Sequence, residues 1–348
     1  MFSILRPYIF SLDPEVAHEL AIKSLKFNFI PESFFQVPGE DILETNFLGI
    51  KFKNPIGLAA GFDKSAEVYN SLYKFGFGFV EVGTITPRKQ LGNPKPRMFR
   101  LEKDKALINR LGFNNDGLDI ISKRISSNVP NGILGINIGP NKDTKNKIND
   151  FSTCLLELHS KAHYITINIS SPNTEGLRDF HEKDSLSKLL DNIVKLKKNK
   201  KIKKPLFLKI SPDIGEKDIE QINELIFKYH INGIILSNTT DSNRNKLEDT
   251  KKNEKGGLSG LPLRDLSTKI IRKFYQLTKG RIPIIGVGGV DSGESAFEKI
   301  TAGANAVQLY TGMIYNGPGI VKKIKKELID ILKKEKIKNI DQAVGINS

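Results

Sequence analysis

The sequence predicts a (β/α)8 barrel, a TIM barrel of the α/β class, with an N-terminal helical extension. Eight short apolar runs rich in Ile, Val and Leu follow one another from residue 55 onward, and segments of helical period separate them. Most runs are apolar throughout rather than alternating, as expected of parallel strands covered on both faces. Nearly every run ends in glycine or polar residues, the composition of loops at the catalytic end of such a barrel. A doubly wound open sheet is the alternative, but it rarely uses eight parallel strands at such even spacing.

Residues 1–38 stand outside the barrel as a helical segment, and residues 39–340 make up the barrel domain. Asp13 followed by Pro14 reads as a helix start, after which Val16, Ala17, Leu20, Ala21 and Leu25 recur at helical spacing. The flanking stretches FSILRPYIF and FNFIPESFF are unusually aromatic for a soluble cap. Three readings stay open: a helical lid over the barrel bottom, an apolar access path for a lipid-soluble substrate, or a membrane-surface anchor. TNFLGIKFKNP then reads as a hairpin leading into the first barrel strand.

The strand runs are PIGLAAG (55–61), FVEVGTI (79–85), GILGINIG (132–139), YITINIS (164–170), PLFLKIS (205–211), GIILSNT (233–239), IPIIGVG (282–288) and AVQLYT (306–311). EKDIEQINELIFKYH (216–230) and LRDLSTKIIRKFYQLTK (263–279) are helical patterns between them. The closing helix places Pro318 at its first turn and Ile320, Ile324, Leu328 and Leu332 on one stripe. Two connections, 86–131 and 240–262, are too long for plain loops. Both follow strand C-termini, so they read as cover for a site, and DSNRNKLEDTKKNEKGG in the second reads as a mobile lid.

Lys and Arg total 54 against 39 Asp and Glu, a formal charge of +15. That balance is compatible with nucleic acid, an anionic membrane surface or an acidic substrate, and equally with lysines decorating solvated faces. The run KLKKNKKIKK (195–204) reads as a solvated helix end. The single cysteine, Cys154, excludes intramolecular disulfides and a cysteine-based metal site, and its helical setting reads as a buried structural thiol. No apolar run approaches the ~20 residues that span a bilayer, and the N-terminus shows no signal-peptide pattern.

The strand ends carry the chemistry: AAGFDK (59–64), GTIT (83–86), NIGPNKD (137–143), NISSPN (168–173), LKISPD (208–213), SNTT (237–240), GVGG (286–289) and LYTG (309–312). Gly288, Gly289, Thr311 and Gly312 lie where barrels commonly hold a phosphate. Lys64 and Lys209 are costly at apolar strand ends unless they face an anion or the open end of the barrel, and either alone could be a structural ion pair. Together with Thr84, Asn137, Asn168, Asn173, Asn238 and Thr239 they describe a cationic pocket of amide donors, suited to a planar, many-acceptor ligand such as a flavin plus a small carboxylate. NISSPNTEGLR (168–178) offers two serines and no neighbouring histidine, so the residues alone leave open which serine acts.

GLAAGFDK, VEVGTITPR, NRLGFNN, NIGPNKDT, NISSPNTEGLR, SNTT, GGLSG and GVGG are collectively very specific. On them the chain resembles the class 2 dihydroorotate dehydrogenases, membrane-associated, quinone-reducing flavoproteins of pyrimidine biosynthesis. The resemblance implies oxidation of (S)-dihydroorotate to orotate with quinone as acceptor, the fourth step of de novo UMP synthesis, with one FMN per subunit and no metal. It also implies a monomer, peripheral on the cytoplasmic side of the inner cell membrane and attracted to its anionic surface, with no nucleic-acid partner.

By the same resemblance Ser171, the residue before Pro172 and Asn173, is the base, and Ser170 faces the barrel packing. FMN falls to Ala60, Gly61, Lys64, Thr84, Asn137, Asn168, Lys209, Ser237, Gly260, Gly289, Tyr310 and Thr311. Dihydroorotate falls to Lys64, Asn109, Arg110, Leu111, Gly112, Phe113, Asn168, Asn173, Asn238 and Thr239. His18, Arg100 and Tyr310 match the lining of a quinone tunnel, although on sequence alone His18 reads as a helix-surface histidine. Ser65 and Ala66 depart from the family pattern of a polar residue and a glycine, and Ser237 replaces a common threonine while keeping the hydroxyl. Two rivals are a flavin barrel of the tRNA dihydrouridine synthase kind, which would carry a catalytic cysteine on a loop, and a non-catalytic basic barrel that binds RNA or membrane.

Overall fold

The computed structural model describes residues 2–27, 29, 31–242 and 244–348. Met1, Asn28 and Ile30 of the N-terminal segment and Asn243 of the expected lid lie outside the described residues. Helix α1 spans Phe2–Ser11 and helix α2 spans Pro14–Lys26. The start of α2 is the one the Asp-Pro pair predicts: the Asp13 carboxylate accepts the N–H groups of Glu15 and Val16, and Pro14 occupies the first turn. α2 buries Glu15, Ile22 and Leu25, whereas α1 buries none of its residues.

In chain order the strands are β1 Thr45–Phe47, β2 Ile50–Phe52, β3 Ile56–Leu58, β4 Phe79–Ile85, β5 Met98–Leu101, β6 Ala106–Asn109 and β7 Ile133–Ile138. They continue with β8 Tyr164–Asn168, β9 Leu206–Ile210, β10 Gly233–Leu236, β11 Gly257–Gly260, β12 Ile284–Val287 and β13 Ala306–Leu309. Eight of them close a parallel barrel in the order β10-β12-β13-β3-β4-β7-β8-β9, and these are the eight apolar runs. FVEVGTI is β4 in full, whereas the other strands are shorter than their runs because the last residues of those runs turn out into the loops; PIGLAAG keeps only Ile56–Leu58 in the ladder.

The hairpin β1–β2 turns through Leu48 and Gly49 at φ 55° and 70°, the paired positive angles a two-residue hairpin turn requires. It closes the barrel bottom. Phe47 stacks on Phe52 at 4.5 Å, and the pair packs with Phe79, Tyr164 and Phe207. Because the hairpin plugs that end, the helical extension does not lie over the bottom, as one reading of the sequence had it. It lies at the opposite end, where α2 meets β5 and the loop after β3.

The two long connections are not separate excursions. β5 and β6 come from the first and β11 from the second, and they form one antiparallel sheet in the order β11-β6-β5 beside the strand ends. The expected lid is therefore tied down. Arg244 donates to the carbonyls of Lys252, Glu254 and Gly256, and the Asp104 carboxylate accepts the N–H groups of Glu248 and Asp249. Polar composition predicted mobility, but here the polar groups bond to this segment's own backbone.

The closing helix Ile320–Lys334 begins two residues beyond Pro318, which sits in the turn that Gly317 opens at φ 78°. Its stripe is as predicted, with Ile320, Ile324, Leu328 and Leu332 all buried. Ala66, one of the departures from the family pattern, takes φ 52°, in the left-handed region that favours glycine.

Candidate active site

The floor of the site is a hydrogen-bonded chain of side chains at the barrel's upper end. Glu81 of β4, fully buried, accepts from Asn137 Nδ2 at 2.8 Å, from the Tyr164 hydroxyl at 3.0 Å and from Gln308 Nε2 at 3.0 Å. Asn137 Oδ1 in turn accepts from the Thr84 hydroxyl at 2.6 Å and from Asn168 Nδ2 at 3.1 Å. The Asn168 Oδ1 accepts the Ser170 hydroxyl at 2.8 Å, and Ser170 Oγ accepts Asn238 Nδ2 at 2.9 Å. Each amide is thereby held in one orientation before any ligand arrives.

Lys209 rises from β9 into this polar floor. It is buried, and its ammonium bonds to no described residue. Burial pushes its pKa down, while the nearby Glu81 carboxylate acts the other way. Its charge therefore has one acidic neighbour below and the cavity above.

The two serines of NISSPNTEGLR are separated by their surroundings. Ser171 lines the cavity, 5% exposed, and its Oγ accepts the Asn173 N–H at 3.2 Å. Ser170 is fully buried in the floor network and does not line the cavity. Arg178, at the end of the same stretch, holds the loop in place: it donates to the carbonyls of Ser170 and Thr239 and pairs with Asp213 and Asp241.

Around this floor the cavity is lined by Ala60, Gly61, Lys64, Thr84, Asn168, Lys209, Ser237, Gly260, Gly289, Tyr310 and Thr311, so eleven of the predicted cofactor residues meet. Asn137, the twelfth, lies beneath, its amide bonded to Glu81, Thr84 and Asn168. At the end where a phosphate is expected, Gly288 and Gly289 take φ 116° and 72°, and a Cβ at Gly289 would lie 2.6 Å from that of Arg264. Only glycine fits that approach.

On the side facing β5, β6 and β11, the cavity is lined by Asn109, Leu111, Gly112, Phe113, Asn173, Asn238 and Thr239. Arg110 is the exception among the predicted substrate residues. Alternation at the end of β6 turns its side chain outward, to Glu254 at 2.8 Å and the Pro96 carbonyl at 2.8 Å, over the Phe99 ring.

A second, largely apolar cavity of about 400 Å³ adjoins the first. α1 and α2 form one wall, with Phe10, Leu12, Ala17, His18 and Ala21, and Met98, Leu107 and Tyr310 line both cavities. His18 is not a plain surface histidine: its ring meets Phe62 edge-on at 5.1 Å, and Nε2 is 3.4 Å from the Lys64 ammonium. Burial, aided by the charge of Lys64, pushes the His18 pKa down to about 3, so the ring is neutral at ordinary pH. Burial likewise lowers Lys64 to about 8. Arg100 donates to the carbonyls of Phe10 and Leu12, fixing the corner between the two helices. The Tyr310 hydroxyl is buried without a partner among the described residues, at the junction of the two cavities.

Sequence reasoning passed over Glu81, Gln308, Ser259 and the apolar wall residues Phe62, Met98 and Leu107. The signal for two of them was present, since Glu81 in FVEVGTI and Gln308 in AVQLYT are polar residues inside apolar strands, the feature that singled out Lys209. Cys154 is fully buried, which pushes its thiol pKa up, and it sits away from both cavities, so the cysteine a tRNA dihydrouridine synthase would need is missing from the site.

The profile of the Dihydroorotate dehydrogenase family matches residues 42–332. The chain is 48% identical to the dihydroorotate dehydrogenase (quinone) of Bartonella henselae over 340 residues, covering 96% of this chain and 93% of that one. It is 44% identical to the mitochondrial dihydroorotate dehydrogenase (quinone) of Mus musculus, covering 97% and 87%. Among solved structures, the Eimeria tenella enzyme in complex with ferulenol superposes with a TM-score of 0.92 at 38% identity, over 96% of each chain.

Proposed function

The chain belongs to the dihydroorotate dehydrogenase family, which oxidises dihydroorotate with quinone as acceptor, and we propose that it runs this reaction in two adjoining compartments. The polar cavity takes dihydroorotate and a flavin, and the apolar cavity takes the quinone. One observation carries this reading: a cation-lined amide pocket containing Ser171 shares Met98, Leu107 and Tyr310 with an apolar tunnel walled by α1 and α2.

The residues present fit FMN. The buried Gln308 Oε1 lacks a hydrogen-bond partner among the described residues, Lys209 lines the cavity, and Gly288 and Gly289 keep side chains out of the place a phosphate would need. Ala60, Gly61, Lys64, Thr84, Asn168, Lys209, Ser237, Gly260, Gly289, Tyr310 and Thr311 would hold it. When bound, FMN supplies the hydride acceptor and passes electrons on to quinone. Lys209 supplies a fixed positive charge beside the place where negative charge develops.

Ser171 takes the proton from C5 of dihydroorotate while its own hydroxyl proton passes on to water or a neighbouring hydroxyl, and the hydride that leaves C6 would go to the flavin. A serine hydroxyl is a weak base at neutral pH, so its burial and its fixed orientation, with the Asn173 N–H on Oγ, belong to the mechanism. Lys64 balances the substrate carboxylate, and Asn109, Asn173 and Asn238 meet its amide edges. His18 and Arg100 shape the tunnel through which the quinone reaches Tyr310.

No described helix is long and apolar enough to cross a membrane. The N-terminal segment instead leaves Ile4, Leu5, Tyr8, Leu12, Val16, Leu20, Phe27, Phe29 and Phe34 exposed around the tunnel helices. Such a surface suits docking at a bilayer interface, with the net charge of +15 favouring an anionic leaflet. On this reading the protein is a peripheral membrane monomer on the cytoplasmic side of the inner membrane, and residues 1–38 are its quinone-access segment. The deciding experiment is anaerobic: dihydroorotate should bleach the yellow protein, and a ubiquinone or menaquinone analogue should restore the colour. Colourless protein would favour a non-catalytic barrel, and colour that dihydroorotate leaves unchanged a flavin barrel acting on another substrate.

A further inference from the structure

Glu15 is an acid where the sequence pattern has none to spare. It sits in the first turn of the helix that walls the quinone tunnel, yet it is 7% exposed and faces the barrel. Its carboxylate receives Arg97 Nη2 at 2.6 Å and Nε at 3.1 Å, a two-point pairing with a guanidinium that is also 7% exposed. Burial alone would raise the Glu15 pKa, but hydrogen bonding and charge from Arg97 and Lys95 leave it lowered.

Arg97 does more than hold α2. Its Nη1 donates to the carbonyls of Leu91 at 2.7 Å and Asn93 at 2.8 Å, which fixes the loop between β4 and β5. Its own carbonyl accepts the Arg110 N–H at 2.9 Å. Asn93 then reaches the substrate side directly: its amide nitrogen donates to the Arg110 carbonyl at 3.0 Å and the Asn173 carbonyl at 3.4 Å, and its N–H donates to the Leu111 carbonyl at 3.0 Å. A Cβ on Gly112 would lie 2.8 Å from that same amide, so the contact has no slack.

We propose that the Glu15–Arg97 pair positions the dihydroorotate side of the cavity, so that the quinone-access helix and the substrate-binding backbone at 109–113 and 173 are set by one buried ion pair. The consequence is coupling between the half-reactions: a displacement of α2 moves Arg97, and with it the loop that Asn93 ties to the substrate residues. The physical reason is that Arg97 cannot be left unpaired in this setting. A guanidinium buried without its carboxylate turns toward solvent or draws water in, and either movement releases the Leu91 and Asn93 carbonyls. The inference rests on the assignment of Asn173 and residues 109–113 to dihydroorotate made above.

The test uses the full-length holoenzyme with Glu15→Gln, Arg97→Met and the double variant, reading equilibrium orotate affinity by calorimetry and flavin reduction by dihydroorotate without quinone. Glu15→Gln should weaken orotate by about tenfold or more and raise the dihydroorotate concentration for half-maximal reduction by a similar factor. The limiting reduction rate should change far less, because Ser171 is untouched. The double variant should bind orotate about as weakly as Arg97→Met alone, since in both the Leu91 and Asn93 carbonyls have lost their donor. Unchanged orotate affinity in Glu15→Gln, with quinone reduction alone impaired, would reduce the pair to a helix anchor and overturn the proposal. Should that variant fail to fold, Glu15→Asp, which keeps the charge and shortens its reach, must weaken orotate in the same direction, and wild-type affinity there also overturns it. Asn173→Ala separates the two claims: if it leaves orotate binding intact, the substrate assignment itself is at fault.

Discussion

The Lys64 ammonium lies 3.4 Å from Nε2 of His18, and this contact joins the loop after β3 to the tunnel helix α2. Lys64 lines the polar cavity and His18 the apolar one, so on the proposed assignment the cation that would face the substrate carboxylate also faces the quinone path. Burial first, and the charge of Lys64 second, keep His18 neutral.

Burial lowers the Lys64 pKa to about 8, so on the proposed assignment dihydroorotate binding should depend on pH. As pH rises through that value the ammonium loses its charge, and the half-saturating dihydroorotate concentration for flavin reduction should climb by about tenfold per pH unit beyond it. Lys64→Arg should remove the inflection, because a guanidinium stays charged throughout. A flat profile to pH 10 in the wild-type protein would separate Lys64 from the substrate.

Stability should follow the same groups. His18 is lowered from 6.5 to about 3 and Lys64 from 10.5 to about 8, so the unfolded chain binds more protons than the folded one between each pair of values. Stability therefore rises with pH across each window, and acidification from about 6.5 toward 3 costs the fold part of its margin. Urea midpoints measured over that acid range should depend less on pH in His18→Gln than in the wild type.

Ser171→Ala should retain FMN and lose flavin reduction by ~10² to 10⁴, the range for removing a general base. Ser170→Ala should act differently, loosening the Asn168–Asn238 link and with it ligand affinity. Stopped-flow reduction of both variants decides between the serines. Near wild-type reduction in Ser171→Ala together with loss in Ser170→Ala would reverse the assignment.

Removing the buried cation by Lys209→Ala should weaken FMN retention and lower the bound flavin's reduction potential, since reduced flavin carries negative charge and Glu81 would remain without its opposing cation. Dye equilibration measures the potential directly, and an unchanged value would place Lys209 outside the flavin's field.

Leu5 and Val16, 50% and 43% exposed on α1 and α2 and outside the lining of both cavities, are the positions at which to test membrane docking. Glutamate at both should abolish most binding to anionic liposomes while leaving flavin reduction by dihydroorotate intact, because neither side chain touches the Glu15–Arg97 pair. Removing residues 1–38 is a harsher experiment with a different expectation. It takes Glu15 and His18 away together, so the truncated barrel should show weakened dihydroorotate binding as well as lost quinone reduction.

The barrel was legible in the sequence because its determinants are local. A strand buried on both faces must be apolar along its length, and a loop at the catalytic end must turn out in glycine and polar residues, so PIGLAAG or GVGG announces its place without a partner in view. Lys209 was legible for the same reason, and Glu81 and Gln308 obeyed the same rule unnoticed. The orientation of Arg110 was not legible: membership of a motif places its backbone, but alternation at the end of β6 turns its side chain to Glu254. The three-stranded sheet could not be read either, because β11 reaches β6 across the intervening barrel strands, and pairing at such separation leaves no period in the chain. Glu15 and Arg97 lie 82 residues apart, and each alone looks like one more charge on a charged surface. What makes them a buried pair is the packing of α2 against β5, because desolvation and Coulomb attraction act only between groups that the tertiary fold has brought together.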